Sequence, residues 1–331
     1  MAPFHWIKSE IESLDPYSDY EKIFRLSTSY SLNDFANNLI YSLTFPNFVV
    51  TAHGAEVVWR EDGGKVLSKA TQREEETQNN NALWWYYGPN DPRTHKSIDS
   101  LNKLHKYWAS KYPGRFSDND DYVYTLAFSA ILEHRLRLRL GLRGWSDKQK
   151  IASHLFWREM SKHFVTEDDS PLHGFPADWD ALVAYCEAFE HAPREGTEQG
   201  HLVAEAIYQQ FAFRYFPRPL HWLGRAMPIA LSLPSTLKTL KIEPINPVLR
   251  MAIVWFVGTV FWLMETFLPD PEPDKAWWPG MESMEKEEKR ERQKQLREVD
   301  DEFKLFFAGA HAGHWPGCPY HAAMGKLGKS G

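Results

Sequence analysis

Residues 97–149 read SIDSLNKLHKYWASKYPGRFSDNDDYVYTLAFSAILEHRLRLRLGLRGWSDKQ, and this stretch decides the fold class. Ile98, Leu101, His105, Trp108 and Tyr112 follow one another at spacings of 3, 4, 3 and 4, which puts all five on one face of a helix. Ser117-x-x-Asp120 has the form of a capping box, in which each end of the motif satisfies a backbone N–H that the first helical turn leaves open. It predicts a long helix over residues 121–140. Arg135 to Leu140 alternates like a strand, but it lies inside that capped run. Ser146-x-x-Gln149 opens a further helix whose Ile151, Leu155, Met160 and Phe164 keep roughly helical spacing.

The same periodicity extends in both directions. Upstream, Val66, Ala70, Arg73 and Thr77 repeat at 4, 3 and 4 and predict one helix face that starts apolar and ends polar. Downstream, Trp179, Leu182, Val183, Cys186 and Phe189 form a stripe after Pro176. Residues 197–215 read as a helix that stops before Pro217, and an apolar helix from Leu249 follows Pro247. No stretch reads convincingly as a strand, so the expected class is all-α. Past Leu268 the chain turns to PDPEPD and then to EKEEKRERQKQLRE, expected as a solvated helix laced with ion pairs. The expected division is an extension over 1–31, one helical domain over 32–268, and a charged helix with an irregular tail over 269–331.

Composition narrows the function. The 331 residues carry a net charge of −6 with no basic block, which argues against a nucleic-acid partner. Aromatic residues reach 15%, which suits a pocket for a flat apolar ligand, although core packing alone accounts for it equally simply. Two cysteines, Cys186 and Cys318, cannot build a multi-bridge scaffold, as suits a reducing, cytoplasmic setting. Residues 1–14 lack the apolar core of a signal peptide, so no leader or N-terminal anchor is expected. Residues 251–264 (MAIVWFVGTVFWLM) are uncharged for 14 residues, whereas a bilayer span needs about 20. A buried core helix, or peripheral contact with an internal membrane, is expected in place of a span.

Two patterns carry chemistry. His105 sits among apolar and aromatic neighbours, where a neutral imidazole needs a hydrogen bond or a metal. A lone histidine there is more often a satisfied core residue than a ligand. Arg73 and Thr77 continue an apolar face, and so mark either its solvent edge or a polar pocket.

In order and spacing, these segments resemble the haem-b oxygenase family that includes the fungal mycophenolic-acid ER-bound oxygenase and the latex-clearing rubber oxygenases. Residues 97–105 match its serine-isoleucine, then leucine-asparagine-x-x-histidine; Asn119 to Asp121 match its acidic turn, and Tyr124 to Leu126 its tyrosine-x-leucine. FWREMSKHF (156–164) and FPADWDALVAYCEAFE (175–190) continue the likeness. Arg73-Glu-Glu-Glu-Thr77 meets the family's arginine-x-x-x-threonine, 28 residues before His105. The resemblance covers about residues 32–268. It implies a single helical domain enclosing haem b, with His105 on the iron, and Arg73 and Thr77 on the side where oxygen and substrate meet. Molecular oxygen is then the co-substrate and an apolar small molecule the substrate. Oxidative C=C cleavage of an isoprenoid chain is the leading reaction, and desaturation, hydroxylation or rearrangement of a phenolic or terpenoid the alternative. A non-catalytic, membrane-associated helical protein is the alternative of another class.

Arg135, Arg139 and Arg143 are candidates to pair with the haem propionates, with a solvated face equally open for each. The chain departs from the rubber-oxygenase branch at Glu76, where a lysine is expected, and at Ala109, where some members carry arginine. The upstream carboxylate of that branch has two candidates, Glu56 and Glu61. His53, His134, His154 and His163 are rival iron ligands. His311, His314, Cys318 and His321 offer four ligands within 11 residues, either a short metal loop or an irregular tail that happens to hold histidines.

Overall fold

A computed structural model of the protein describes residues 4–310. The fold is 72% helix with no strand among the described residues, so the expected all-α class holds. In chain order the first helices are α1 (Trp6–Ser13), α2 (Tyr20–Thr28), α3 (Asp34–Phe48), α4 (Ala52–Trp59), α5 (Gly64–Ser68) and α6 (Ala70–Tyr87). Next come α7 (Pro92–Ala109), α8 (Asn119–Arg139), α9 (Asp147–Ser161), α10 (Trp179–His191) and α11 (Glu198–Tyr215). The last are α12 (His221–Leu231), α13 (Pro234–Thr239), α14 (Pro247–Phe267), α15 (Trp277–Ser283) and α16 (Lys286–Ala310).

The helices fall into two compact units, and the expected segment 32–268 is shared between them. The first comprises residues 1–40, 77–193 and 245–284; the second comprises 41–76, 194–244 and 285–331. In the first unit α9 packs against α2, α8 and α10. Its core is aromatic: Phe24 stacks on Phe156 at 4.0 Å, and Trp145 and Trp157 meet the Phe24 ring edge-on. In the second, α4 and α12 pack against α11, which is buried along most of its length. The close approach of α11 needs Gly200, because a Cβ there would lie 2.7 Å from the Val49 carbonyl oxygen.

Local sequence signals set most boundaries. The capping box at Ser146 and Gln149 forms as expected, and Thr197 caps α11 through the Gly200 N–H. The α8 box does not form. Asp118 is the cap, accepting from the Asp120 N–H, because a carboxylate one residue later meets the positive end of the helix with a full charge. The stripe from Val66 to Thr77 is also not one helix. Val66 belongs to α5, the chain breaks at Lys69 (φ −150°, ψ 50°), and α6 starts afresh at Ala70.

The charged helix departs most from expectation. α16 is solvated on one side only; its other side buries Leu296, Phe303 and Phe307 against α5 and α11. It also delivers Asp300, a buried carboxylate that accepts from the Thr71 N–H at 2.6 Å and the Gln72 N–H at 3.3 Å. Asp300 thus caps α6 from a distant part of the chain, so a run that reads as all charge holds a core element in place. Asp300→Ala should cost about 1–2 kcal/mol in urea unfolding, the usual scale for losing a helix cap. Asp300→Asn, which keeps one acceptor oxygen, should cost less, and equal stability of all three proteins would show that the cap contributes nothing.

Candidate functional site

His105 lies about three-quarters of the way along α7, and several contacts fix that helix. Asp91 caps it and Pro92 occupies its first position, where a missing N–H costs nothing. Ile98 is fully buried, and Asn102 Nδ2 donates to the His163 carbonyl oxygen at 2.9 Å. Ser97 Oγ accepts from the Trp84 indole at 3.0 Å, and Trp84 meets Phe164 edge-on. The expected face is only partly regular, because α7 ends at Ala109 and leaves Tyr112 in the following turn.

The His105 ring stacks on Phe116 at 4.9 Å and meets Tyr122 edge-on at 5.8 Å. Phe116 comes from the loop between α7 and α8. That loop is held by the Glu167 carboxylate, which accepts from the Gly114 N–H at 2.9 Å and the Phe116 N–H at 3.0 Å. The Tyr122 hydroxyl lies 3.5 Å from Nδ1, at the outer limit for a hydrogen bond. Burial raises the Tyr122 hydroxyl above the ordinary phenol range, so it stays protonated and neutral. Burial also pushes the imidazole down to about 4, so the ring is neutral at physiological pH. In the neutral tautomer whose Nδ1–H donates to the phenol oxygen the Nε2 lone pair is available, and Nε2 has no hydrogen-bond partner among the described residues.

The rival histidines are differently engaged. His134 Nδ1 accepts the Trp145 backbone N–H at 2.9 Å, and His154 Nε2 donates to the Pro176 carbonyl at 2.9 Å. His163 packs against His95 with 4.3 Å between ring centroids. His105 differs from His134 and His154 in that its ring contacts a phenyl ring and a phenol and binds no backbone group.

Arg73 lies on the first turns of α6. Its guanidinium donates to the Tyr41 hydroxyl and sits 4.2 Å above the centre of the Phe45 ring, a cation–π arrangement. Burial raises the Tyr41 hydroxyl despite the adjacent cation, so it accepts as a neutral phenol. Arg73 is therefore half-buried beside aromatic rings. Thr77 follows one turn later on the same face of α6, also half-buried. Glu76 faces solvent and pairs with Lys65 at 2.9 Å. Glu56 is half-buried on α4, and Glu61 is exposed in the turn after it.

The three arginines of α8 and its C-terminal turn separate cleanly. Arg135 pairs with Glu190 at 2.6 Å, and Glu190 also accepts from the Tyr124 hydroxyl at 3.3 Å, so Arg135 carries its own carboxylate. Arg143 is exposed. Arg139 is half-buried, as Arg135 is; burial first, then the neighbouring guanidinium groups of Arg250 and Arg135, lower its pKa. It is the member of the set whose surroundings best suit a bound anion. His311, His314, Cys318 and His321 lie outside the described residues.

Sequence reasoning reached His105 and Arg73 but missed Tyr41, Phe45, Phe116, Tyr122 and Glu167. These act through pairings that helical periodicity does not encode. The aromatic excess was their one visible trace. No protein-family model matches the chain, and no curated protein aligns with it. The family resemblance therefore rests on the quoted motifs.

The depressed His105 pKa gives a pH test. The folded state prefers the neutral ring, so its stabilising contribution is complete above about 6.5, the free imidazole value. It falls on acidification and is gone below about 4. In haem-free protein, wild type should lose unfolding free energy relative to His105→Leu between those limits. Parallel stability curves would mean that the ring is solvated.

Proposed function

We propose that the protein is a haem-b-dependent oxygenase of an apolar metabolite, cleaving a C=C bond of an isoprenoid chain. The observation that carries this reading is His105, a neutral half-buried imidazole with Nδ1 beside the Tyr122 hydroxyl, in a position that matches the family's leucine-asparagine-x-x-histidine. Haem b, when bound, supplies an iron that activates dioxygen. His105 would hold the iron through Nε2, with Phe116 and Tyr122 fixing the plane of its ring. Arg139 would meet a carboxylate of the porphyrin edge. Arg73 and Thr77 keep the role the resemblance implies: a guanidinium and a hydroxyl that stabilise negative charge developing on oxygen. Tyr41 and Phe45 hold the Arg73 fork in one orientation, which matters because a preoriented donor needs no rearrangement during reaction. Cleavage of an alkene to two carbonyl groups takes both atoms of one dioxygen molecule, so the reaction balances without an external reductant.

The purified protein should take up haemin and show a Soret band that shifts with carbon monoxide. His105→Ala should lose that band, and added imidazole should restore part of it. A wild-type protein that takes up no haemin would end this reading and leave His105 as a core residue. Arg73→Ala and Thr77→Ala should keep the Soret band while oxygen uptake with a polyprenoid alkene falls roughly 10²-fold, the usual scale for one positioned electrostatic donor. Parental oxygen uptake in either variant would remove that residue from the oxygen side.

A further inference from the structure

The sequence leaves residues 251–264 as a core helix or a membrane contact, and burial decides against the core. α14 runs for 21 residues, from Pro247 to Phe267, and the residues it buries are Ile253, Val257 and Gly258. Its outward side exposes Met251, Trp255, Phe256, Trp262, Leu263 and Phe267, with Trp255 at 71% and Phe267 at 64%. We propose that α14 is a monotopic membrane-docking helix, lying in the plane of a lipid surface with this face among the acyl chains.

Length alone would permit a span, since 21 residues at about 1.5 Å each make roughly 31 Å, close to a bilayer's hydrocarbon thickness. The inner stripe forbids it. Gly258, near the helix midpoint, lies against the end of α8, where a Cβ would come 2.3 Å from the Leu140 carbonyl oxygen. Arg137 of α8 forms a two-pronged ion pair with Glu265, one arm at 2.9 Å, and Arg139 lies close enough to Arg250 to feel its charge. A spanning α14 would carry Arg137 and Arg139 into hydrocarbon, at a cost of several kcal/mol each. Lying flat, the helix immerses only its outward side, by about 5–10 Å, and keeps these groups in water.

The composition of the face selects lipid over protein. From 251 to 264 there is no charged residue, and two exposed tryptophans stand seven residues apart, the residue type favoured at the headgroup level. Protein interfaces mix polar and apolar area, whereas acyl chains require no hydrogen-bond partner. Charge is also distributed to suit headgroups. Arg250 begins the apolar run with Arg139 beside it, while at the other end Glu265 is taken by Arg137 and Asp270 accepts the Ile7 N–H at 2.8 Å. Lipid phosphates therefore meet the Arg250 guanidinium at the N-terminal end of the helix.

The inference is independent of haem and is tested on the full chain by flotation with phosphatidylcholine vesicles, with and without phosphatidylserine. Wild type should float, more strongly with phosphatidylserine, and alkaline carbonate should release it. The triple variant W255S/F256S/W262S should stay at the bottom of the gradient with unchanged circular dichroism and thermal midpoint, because all three side chains are exposed. Arg250→Gln should lose the phosphatidylserine preference and keep the rest. Wild type that does not float, a triple variant that floats equally well, or resistance to carbonate would each overturn the proposal. So would a wild-type dimer in vesicle-free buffer that the triple variant converts to monomer, since a second copy would then cover the face.

Discussion

Two adjacent carboxylates on α6, Glu74 and Glu75, are buried, and the second unit is organised around neutralising them. A buried charge left without its partner costs roughly 3–5 kcal/mol, so neither can stand alone. Arg214 of α11 binds Glu74 and approaches Glu75 at 3.7 Å, and Arg292 of α16 reaches Glu75 at 2.7 Å. Asp300 closes the N-terminus of the same helix. Together these contacts fix the rotation of α6 about its axis, because side chains project at about 100° per residue. Arg73, immediately before the pair, is thereby turned onto Tyr41 and Phe45, and Thr77 follows on the same face. The ion pairs thus settle where Arg73 and Thr77 point.

A different constraint governs His105. Its ring meets a phenyl ring and a phenol. Desolvation therefore acts almost unopposed and keeps the ring uncharged. The other helical histidines bind backbone groups, an arrangement that completes a core. The position of Phe116 depends in turn on Glu167, which joins the loop before α8 to the turn after α9. A loop, a turn and two helices thus converge on one imidazole.

In the same unit, α14 combines two requirements usually met by different helices. Its inner stripe is tight enough to need a glycine against a carbonyl, and its outer side is apolar enough for hydrocarbon. The arginines of α8 limit how deeply it can enter a bilayer. For an enzyme of isoprenoid-like substrates, such an orientation would bring the protein to the phase in which they dissolve.

The sequence by itself determined the helical class, because 3.6-residue periodicity and local caps are encoded over a few neighbouring residues. The Ser146 and Gln149 box, Thr197 before α11 and Pro247 at the start of α14 were all legible for that reason. His105 was legible as a histidine on an apolar face, and Arg73 with Thr77 as polar groups ending another. Tertiary structure decided the rest, where meaning depends on partners far along the chain. It made Asp300 and Arg292 of a highly charged helix into the cap and counter-ion of α6, more than 200 residues upstream. It gave Arg135 to Glu190 and left Arg139 half-buried beside Arg250. It also turned outward an apolar run expected either in the core or against a membrane, because only the stripe that meets Leu140 found protein to cover it. Charge and hydrophobicity are properties of a residue, but burial is a property of its surroundings, and those are set only when distant segments pack.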